Sequence, residues 1–98
     1  MNIPGKIKIG WKEYRVEKVD KECILTVDSG TCYGEIEYGE CLIRLNSNNT
    51  DEQNQATLIH ECLHGISEMY TLDMSEDLVT KLANAIYTTI KDNPNIFK

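Results

Sequence analysis

Both histidines of this 98-residue chain lie in one short motif, His60-Glu61-Cys62-Leu63-His64. On a helix, residues four apart lie on the same face, so His60 and His64 can bind the same metal ion. Glu61 lies one step round the helix, where it can act on a water molecule that the metal activates. Zinc peptidases use this arrangement, with the glutamate as general base. The motif therefore predicts a Zn²⁺ site with Glu61 as the catalytic residue.

A catalytic zinc site needs a third protein ligand and an open position for water. The chain has no third histidine, so this ligand must be a carboxylate or a cysteine. Glu76 is the preferred candidate, because helical phase places it along the inward edge of the next predicted helix. Asp77 lies about 100° away and tilts toward solvent. Asp73, Glu68 and Asp77 remain alternatives.

The cysteine pattern indicates free thiols. The sequence contains no Cys-x-x-Cys pair and no sign of the secretory context in which short chains form disulfides. Cys62 lies on the apolar side of its helix, roughly opposite His60, so we expect a packed thiol and not a metal ligand. We expect the same of Cys23, Cys32 and Cys41.

Composition and charge narrow the class of protein. The chain has 41% hydrophobic and 27% charged residues, as expected for one globular domain spanning residues 1–98. A net charge of −6 without a basic run argues against direct binding of nucleic acid. Residues 1–20 lack an apolar signal segment, and no run reaches the length of a membrane span. We therefore expect a cytoplasmic protein that does not bind membranes.

Alternating hydropathy predicts two β-hairpins before the motif. The predicted strands are residues 6–9 and 13–19, then 35–38 and 41–45. Gly39 is expected to supply the positive φ of the second turn. Between the hairpins, residues 24–27 could form a short strand or begin a helical turn, and residues 28–30 indicate a turn.

Two helices are predicted after the hairpins. Thr50, followed three residues later by Gln53, is a capping-box pattern that starts a helix running to about Tyr70. Ser75 caps a second helix, which runs to about Lys91. The order of elements predicts an α+β fold in which a small antiparallel sheet packs against two helices.

The predicted helix also sets the surroundings of the motif. His60, Glu61 and His64 fall on an arc opposite the apolar residues, so the site is expected beside the apolar stripe and accessible. If strand 41–45 forms a sheet edge above the site, it could hold an extended peptide by strand addition. Candidates for stabilising an oxyanion are Tyr38, Tyr70 and Tyr87, although such aromatics more often belong to a core.

With His60-Glu61-x-x-His64, the hairpin residues 33–38 and the helix from Glu76, the chain resembles the ImmA/IrrE-type metallopeptidases. It is more similar to the short versions found in prophages and mobile elements, and the resemblance covers nearly the whole chain. The family glutamate is followed by small or apolar residues three, six and seven places later. Here these positions are Val79, Leu82 and Ala83.

The resemblance implies a minimal zincin-like core, with His60, His64 and Glu76 binding zinc and Glu61 activating water. It also implies a protein substrate, since members are implicated in cleaving helix-turn-helix repressors of mobile elements. Larger members carry elements that this chain lacks, so a short cleft is expected. Cys62 stands where a bulkier aliphatic residue is commoner.

The leading hypothesis is a small zinc-dependent endopeptidase. The alternative is a catalytically weak or inactive zinc-containing module that binds a protein, such as a repressor. A third hypothesis makes the metal a purely structural staple between helices. It needs a fourth protein ligand, and the sequence offers no evident one.

Overall fold

The computed structural model describes residues 2–20 and 33–96. The elements, in chain order, are β1 (Lys6–Ile9), β2 (Lys12–Val19), β3 (Gly34–Glu37), β4 (Leu42–Asn46), α1 (Asp51–Tyr70) and α2 (Glu76–Asp92). The predicted α+β fold is confirmed. The expectations for residues 24–27 and 28–30, and for Cys23 and Cys32, lie outside the described residues. Within the described part, neither helix is long and apolar enough to cross a bilayer.

The sheet is mixed, so the prediction of an antiparallel sheet was wrong in one pairing. The strand order is β1-β2-β4-β3, with antiparallel pairing inside each hairpin. Between the hairpins, β2 and β4 run parallel, with Val16 opposite Ile43. Turn residues determine the pairing within a hairpin, but burial decides which strand joins the other hairpin. Strand β4, with Leu42, Ile43 and Leu45 buried, takes the inner position.

The turn between β3 and β4 also differs from the prediction. Cys41 adopts the left-handed conformation, with φ of 52°, whereas Gly39 is not among the positive-φ residues. Strand β4 therefore begins at Leu42. The turn spans residues 38–41 and is longer than the alternation of hydropathy indicated.

Helix α1 is covered on two sides. Between α1 and the sheet, the core consists of Ile9, Tyr14, Ile43, Leu45 and Leu58. Between α1 and α2, a second cluster consists of Leu63, Val79 and Ala83. Within the motif on α1, Cys62 packs against the first cluster and Leu63 belongs to the second.

Two glycines set the close approach of α1 to the sheet. A Cβ atom on Gly65 would lie 2.8 Å from Cδ1 of Ile9 and 3.2 Å from Cδ1 of Ile36. A Cβ atom on Gly34 would lie 2.7 Å from Cγ2 of Thr57. Gly65 directly follows His64, so this contact fixes the height of the motif above β3.

Both predicted helix caps are present. The Thr50 hydroxyl accepts a hydrogen bond from the Gln53 backbone N–H at 3.1 Å. The Gln53 side chain does not reach back, as a full capping box requires; its amide donates to the Thr57 hydroxyl at 2.9 Å. Ser75 caps α2 by accepting from the Leu78 N–H at 3.1 Å. The second cap starts α2 at Glu76.

Candidate metal centre

The structure brings together His60, His64 and Glu76. The two imidazole Nε2 atoms lie 3.2 Å apart. Oε1 of Glu76 lies 3.0 Å from Nε2 of His60, and Oε2 lies 2.7 Å from Nε2 of His64. The ligand atoms that these residues offer all lie within 4.8 Å of one another. The third residue comes from the next helix, so the centre joins α1 to α2.

This donor set fits a divalent metal ion such as zinc. Bonds of about 2.0–2.1 Å in a tetrahedral site place ligand atoms roughly 3.3 Å apart. The imidazole nitrogens are 3.2 Å apart. A neutral imidazole has a single N–H, so an Nε2 to Nε2 contact needs that hydrogen on one ring only. A cation would satisfy both lone pairs and the carboxylate together.

The surroundings of His60 favour the neutral form of the ring, which is the form that binds metals. The His60 and His64 side chains are each 22% exposed. Burial lowers the pKa of His60 below its ordinary value; the charge of Glu76 opposes this effect and His64 adds to it. The rings meet edge to face, with centroids 4.9 Å apart. The pair is partly shielded from water and keeps some exposed surface.

Glu61 is buried, with 6% of its surface exposed. The expectation that it lies on an accessible polar arc was wrong, because β3 packs over that side of α1. Thr57, on the same arc, is also buried and contacts Gly34. Burial first, then the charges of Glu76 and Glu35, raise the pKa of Glu61 to about 8. Without a cation nearby, this carboxyl group is therefore mostly protonated at neutral pH. A cation held by the histidines would lower its pKa again and restore the carboxylate that can accept a proton.

The alternative carboxylates do not join the cluster. Glu68 pairs with Lys12 of β2, with 3.2 Å between the oxygen and Nζ. Asp77 pairs with Lys81 on its own helix at 3.0 Å. Asp73 is exposed in the connection between the helices. Among the described residues, only Glu76 completes the group with the histidines.

The described cysteines are free thiols. Cys62 is half-buried and packs against the core between the sheet and α1. Burial, followed by the charge of Glu61, raises the pKa of its thiol to about 11. Cys41 is also half-buried, and its Sγ lies 3.6 Å from the carbonyl oxygen of Tyr38. These contacts agree with the expected packed thiols.

Of the three candidate tyrosines, Tyr38 interacts electrostatically with residues of the site. Burial raises its pKa, and the charges of Glu61 and Glu76 are among the further causes. Tyr87 instead donates its hydroxyl to Oε1 of Gln55 at 3.0 Å. Tyr70 is 59% exposed at the end of α1. The turn after β3 therefore carries a hydroxyl group, that of Tyr38, which interacts with the charges of Glu61 and Glu76.

The edge strand beside α1 is β3 and not β4. The expectation for strand 41–45 was wrong, because β4 pairs with β2 on one side and β3 on the other. The Asn46 N–H donates to the Tyr33 carbonyl at 3.1 Å. Antiparallel pairs alternate in hydrogen bonding, so the peptide groups of Ile36 point to the outer edge.

Two residues near the site were not predicted from the sequence. The charge of Glu35 on β3 acts on Glu61. The Ser67 hydroxyl accepts a hydrogen bond from the Met74 N–H at 3.0 Å. Neither contact follows a helical or strand period, so no spacing rule could have found them.

No protein-family model, curated protein or solved structure matches this chain. The resemblance to ImmA/IrrE-type peptidases therefore rests on the residues of the motif and on their spacing to Glu76.

Proposed function

We propose that this chain is a small zinc-dependent endopeptidase that hydrolyses a peptide bond in a protein substrate. The observation that carries the proposal is the convergence of His60, His64 and Glu76, with Glu61 buried beside them. Among the described residues, this cluster has no fourth side-chain ligand. A site with three protein ligands retains a position for water or substrate, as catalytic zinc sites do and closed structural ones do not.

Each residue has a distinct role in the proposed reaction. His60, His64 and Glu76 hold the metal. When bound, Zn²⁺ is a Lewis acid that polarises a carbonyl group and makes water acidic enough to react at neutral pH. Glu61 accepts the proton of the attacking water and passes it to the leaving amine. The Tyr38 hydroxyl donates a hydrogen bond to the oxyanion.

The edge of β3 supports a peptide as the substrate. An extended segment can pair with the outward peptide groups of Ile36, as in strand addition. This strand packs on α1. The Ile36 side chain lies close to Gly65, the residue that directly follows the motif. A peptide on this edge would therefore run alongside His64 and Glu61.

We further propose that the peptidase is of the ImmA/IrrE type, because Glu76 occupies the position that the pattern of this family assigns to a metal ligand. The proposed substrate class is a helix-turn-helix repressor of a mobile element, without direct contact to nucleic acid. The proposed location is the cytoplasm, where the free thiols of Cys41 and Cys62 would stay reduced.

The test is cleavage by zinc-loaded protein. Wild type and Glu61→Gln are each incubated with labelled casein and with a helix-turn-helix repressor, and fragments are identified by mass spectrometry. We expect cleavage by wild type and a loss of at least about 100-fold in Glu61→Gln. Absence of cleavage by zinc-loaded wild type, or full activity in Glu61→Gln, contradicts the proposal.

A zinc-containing protein-binding module is the second candidate, and one surface favours it. Trp11 is 77% exposed at the tip of the first hairpin, and Tyr70 and Leu72 are 59% and 52% exposed. Gly10 of the hairpin packs against Met69, so the hairpin tip lies at the end of α1. Clusters of exposed apolar residues commonly mark protein contacts. Glu61→Gln that keeps the full biological effect would favour this candidate.

A further inference from the structure

Ser67, three residues after His64, ties the end of α1 to the chain that leads into α2. Its carbonyl oxygen accepts hydrogen bonds from the backbone N–H groups of Thr71 and Leu72. Its hydroxyl accepts from the N–H of Met74 at 3.0 Å. A single residue thus receives three backbone donors from the loop of residues 71–75, which we call the 71–75 loop.

The 71–75 loop reverses the chain over a short distance. Thr71 and Asp73 both adopt left-handed backbone conformations, with φ of 55° and 56°. Such conformations are unfavourable for residues other than glycine, so surrounding contacts must maintain them. Ser75 then caps α2, and Glu76 is its first residue. The direction in which Glu76 leaves the loop depends on how the loop is held.

Packing between the helices does not fix Glu76 by itself. Val79 and Ala83 are buried against Leu63, and they determine where α2 lies beyond its first turn. Glu76 precedes Val79 by one turn, and its side chain is 68% exposed. Its carboxylate nevertheless reaches both imidazoles, so the loop must supply the restraint that packing does not.

We propose that Ser67 is a positioning residue for the metal ligand Glu76, acting through its hydrogen bond to Met74. This inference rests on the proposed metal site. Ser67 lies on the same helix as the histidines, so its hydrogen bond fixes the 71–75 loop to the element that carries the other two ligands. Contacts that orient metal ligands are commonly worth 10- to 100-fold in metal affinity.

The first test is the zinc affinity of the metal-free protein, measured by competition with a chromophoric chelator. We expect Ser67→Ala to bind zinc about 10-fold more weakly than wild type. Ser67→Thr keeps a hydroxyl and should recover most of this loss. Thr88→Ala is the matched control, because Thr88 donates its hydroxyl to the Asn84 carbonyl at 2.8 Å, away from the 71–75 loop. Circular dichroism verifies that each variant is folded.

A double-mutant cycle separates positioning of Glu76 from a general effect on the fold. In a Glu76→Ala background, Ser67→Ala should cause no further loss of zinc affinity, because the ligand it positions is gone. An equal loss in both backgrounds overturns the inference, as does an unchanged affinity in Ser67→Ala alone. If wild type itself binds no zinc, the proposed function fails. If wild type binds and Ser67→Ala binds equally, only the positioning role fails.

Discussion

The carboxylate of Glu76 lies 2.7 Å from Nε2 of His64, across the gap between α1 and α2. Glu76 lies twelve positions after His64 in the sequence, and the 71–75 loop brings the two together. An exposed ion pair contributes only about 0–1 kcal/mol to stability, so stability alone is a weak reason for this contact. A metal ion shared by the three residues would explain the contact, because the second oxygen of Glu76 faces His60 in the same way.

Glu76→Gln tests the third ligand. The amide lacks the negative charge of the carboxylate, so we expect zinc affinity to fall by at least about 100-fold. This equals the largest loss that is typical when a residue that only orients a metal ligand is mutated. Asp77→Asn is the matched control, because it removes the same charge from the next residue of α2. Competition with a chelator measures both. Equal zinc affinities of the two variants would show that Glu76 is not a zinc ligand.

Tyr38→Phe tests the hydroxyl of the turn between β3 and β4. We expect kcat for casein cleavage to fall on the order of 100-fold, because an oxyanion donor acts in the transition state. KM and zinc affinity should stay near the wild-type values. Tyr87→Phe, whose hydroxyl donates to Gln55, should have normal kcat. A Tyr38→Phe variant with wild-type kcat would show that the oxyanion is stabilised elsewhere.

Zinc should stabilise the fold, because a ligand that binds only the folded state shifts the unfolding equilibrium. At a free zinc concentration 100 times Kd, the gain is about 2.7 kcal/mol. For a domain of this size, the unfolding temperature should rise on the order of 10 °C. A chelator should reverse the shift in wild type, and His60→Ala should show almost none. Equal shifts in both proteins would place the zinc elsewhere.

Gly65→Ala tests the close approach of α1 to the sheet. The new Cβ atom would lie 2.8 Å from Cδ1 of Ile9, so the helix or the side chain must move. We expect a loss of about 1–2 kcal/mol in the free energy of unfolding, because overpacking exceeds the gain in helix propensity. Gly39→Ala is the control, since no atom lies within 4 Å of the new Cβ. Urea unfolding distinguishes the two.

Much of the fold followed from local patterns in the sequence. The caps at Thr50 and Ser75 and the alternation in the hairpins placed the helices and strands to within about one residue, because these signals act over short distances in the sequence. The parallel pairing of β2 with β4 was missed. It depends on which strand buries more apolar surface, and Ile43 and Leu45 decide this only in the folded chain.

The environment of the site was harder to predict than its residues. Helical phase favoured Glu76 as the partner of His60 and His64 but left Asp73, Glu68 and Asp77 open, and the folded chain brings only Glu76 to the histidines among the described residues. Helical phase could not show that Glu61 is buried, because the strand that covers it comes from elsewhere in the chain. Gly34 and Gly65 allow that strand to lie close, and a glycine in a helix carries no periodic signal.

The metal centre is tested most directly by the zinc content of purified protein after dialysis, measured for wild type, Glu61→Gln and His64→Ala. We expect a single zinc ion per chain in wild type and in Glu61→Gln, because Glu61 would lie beside the metal without binding it. His64→Ala should retain almost none. A wild type without zinc, or a His64→Ala variant with as much zinc as wild type, would contradict the assignment of the metal centre.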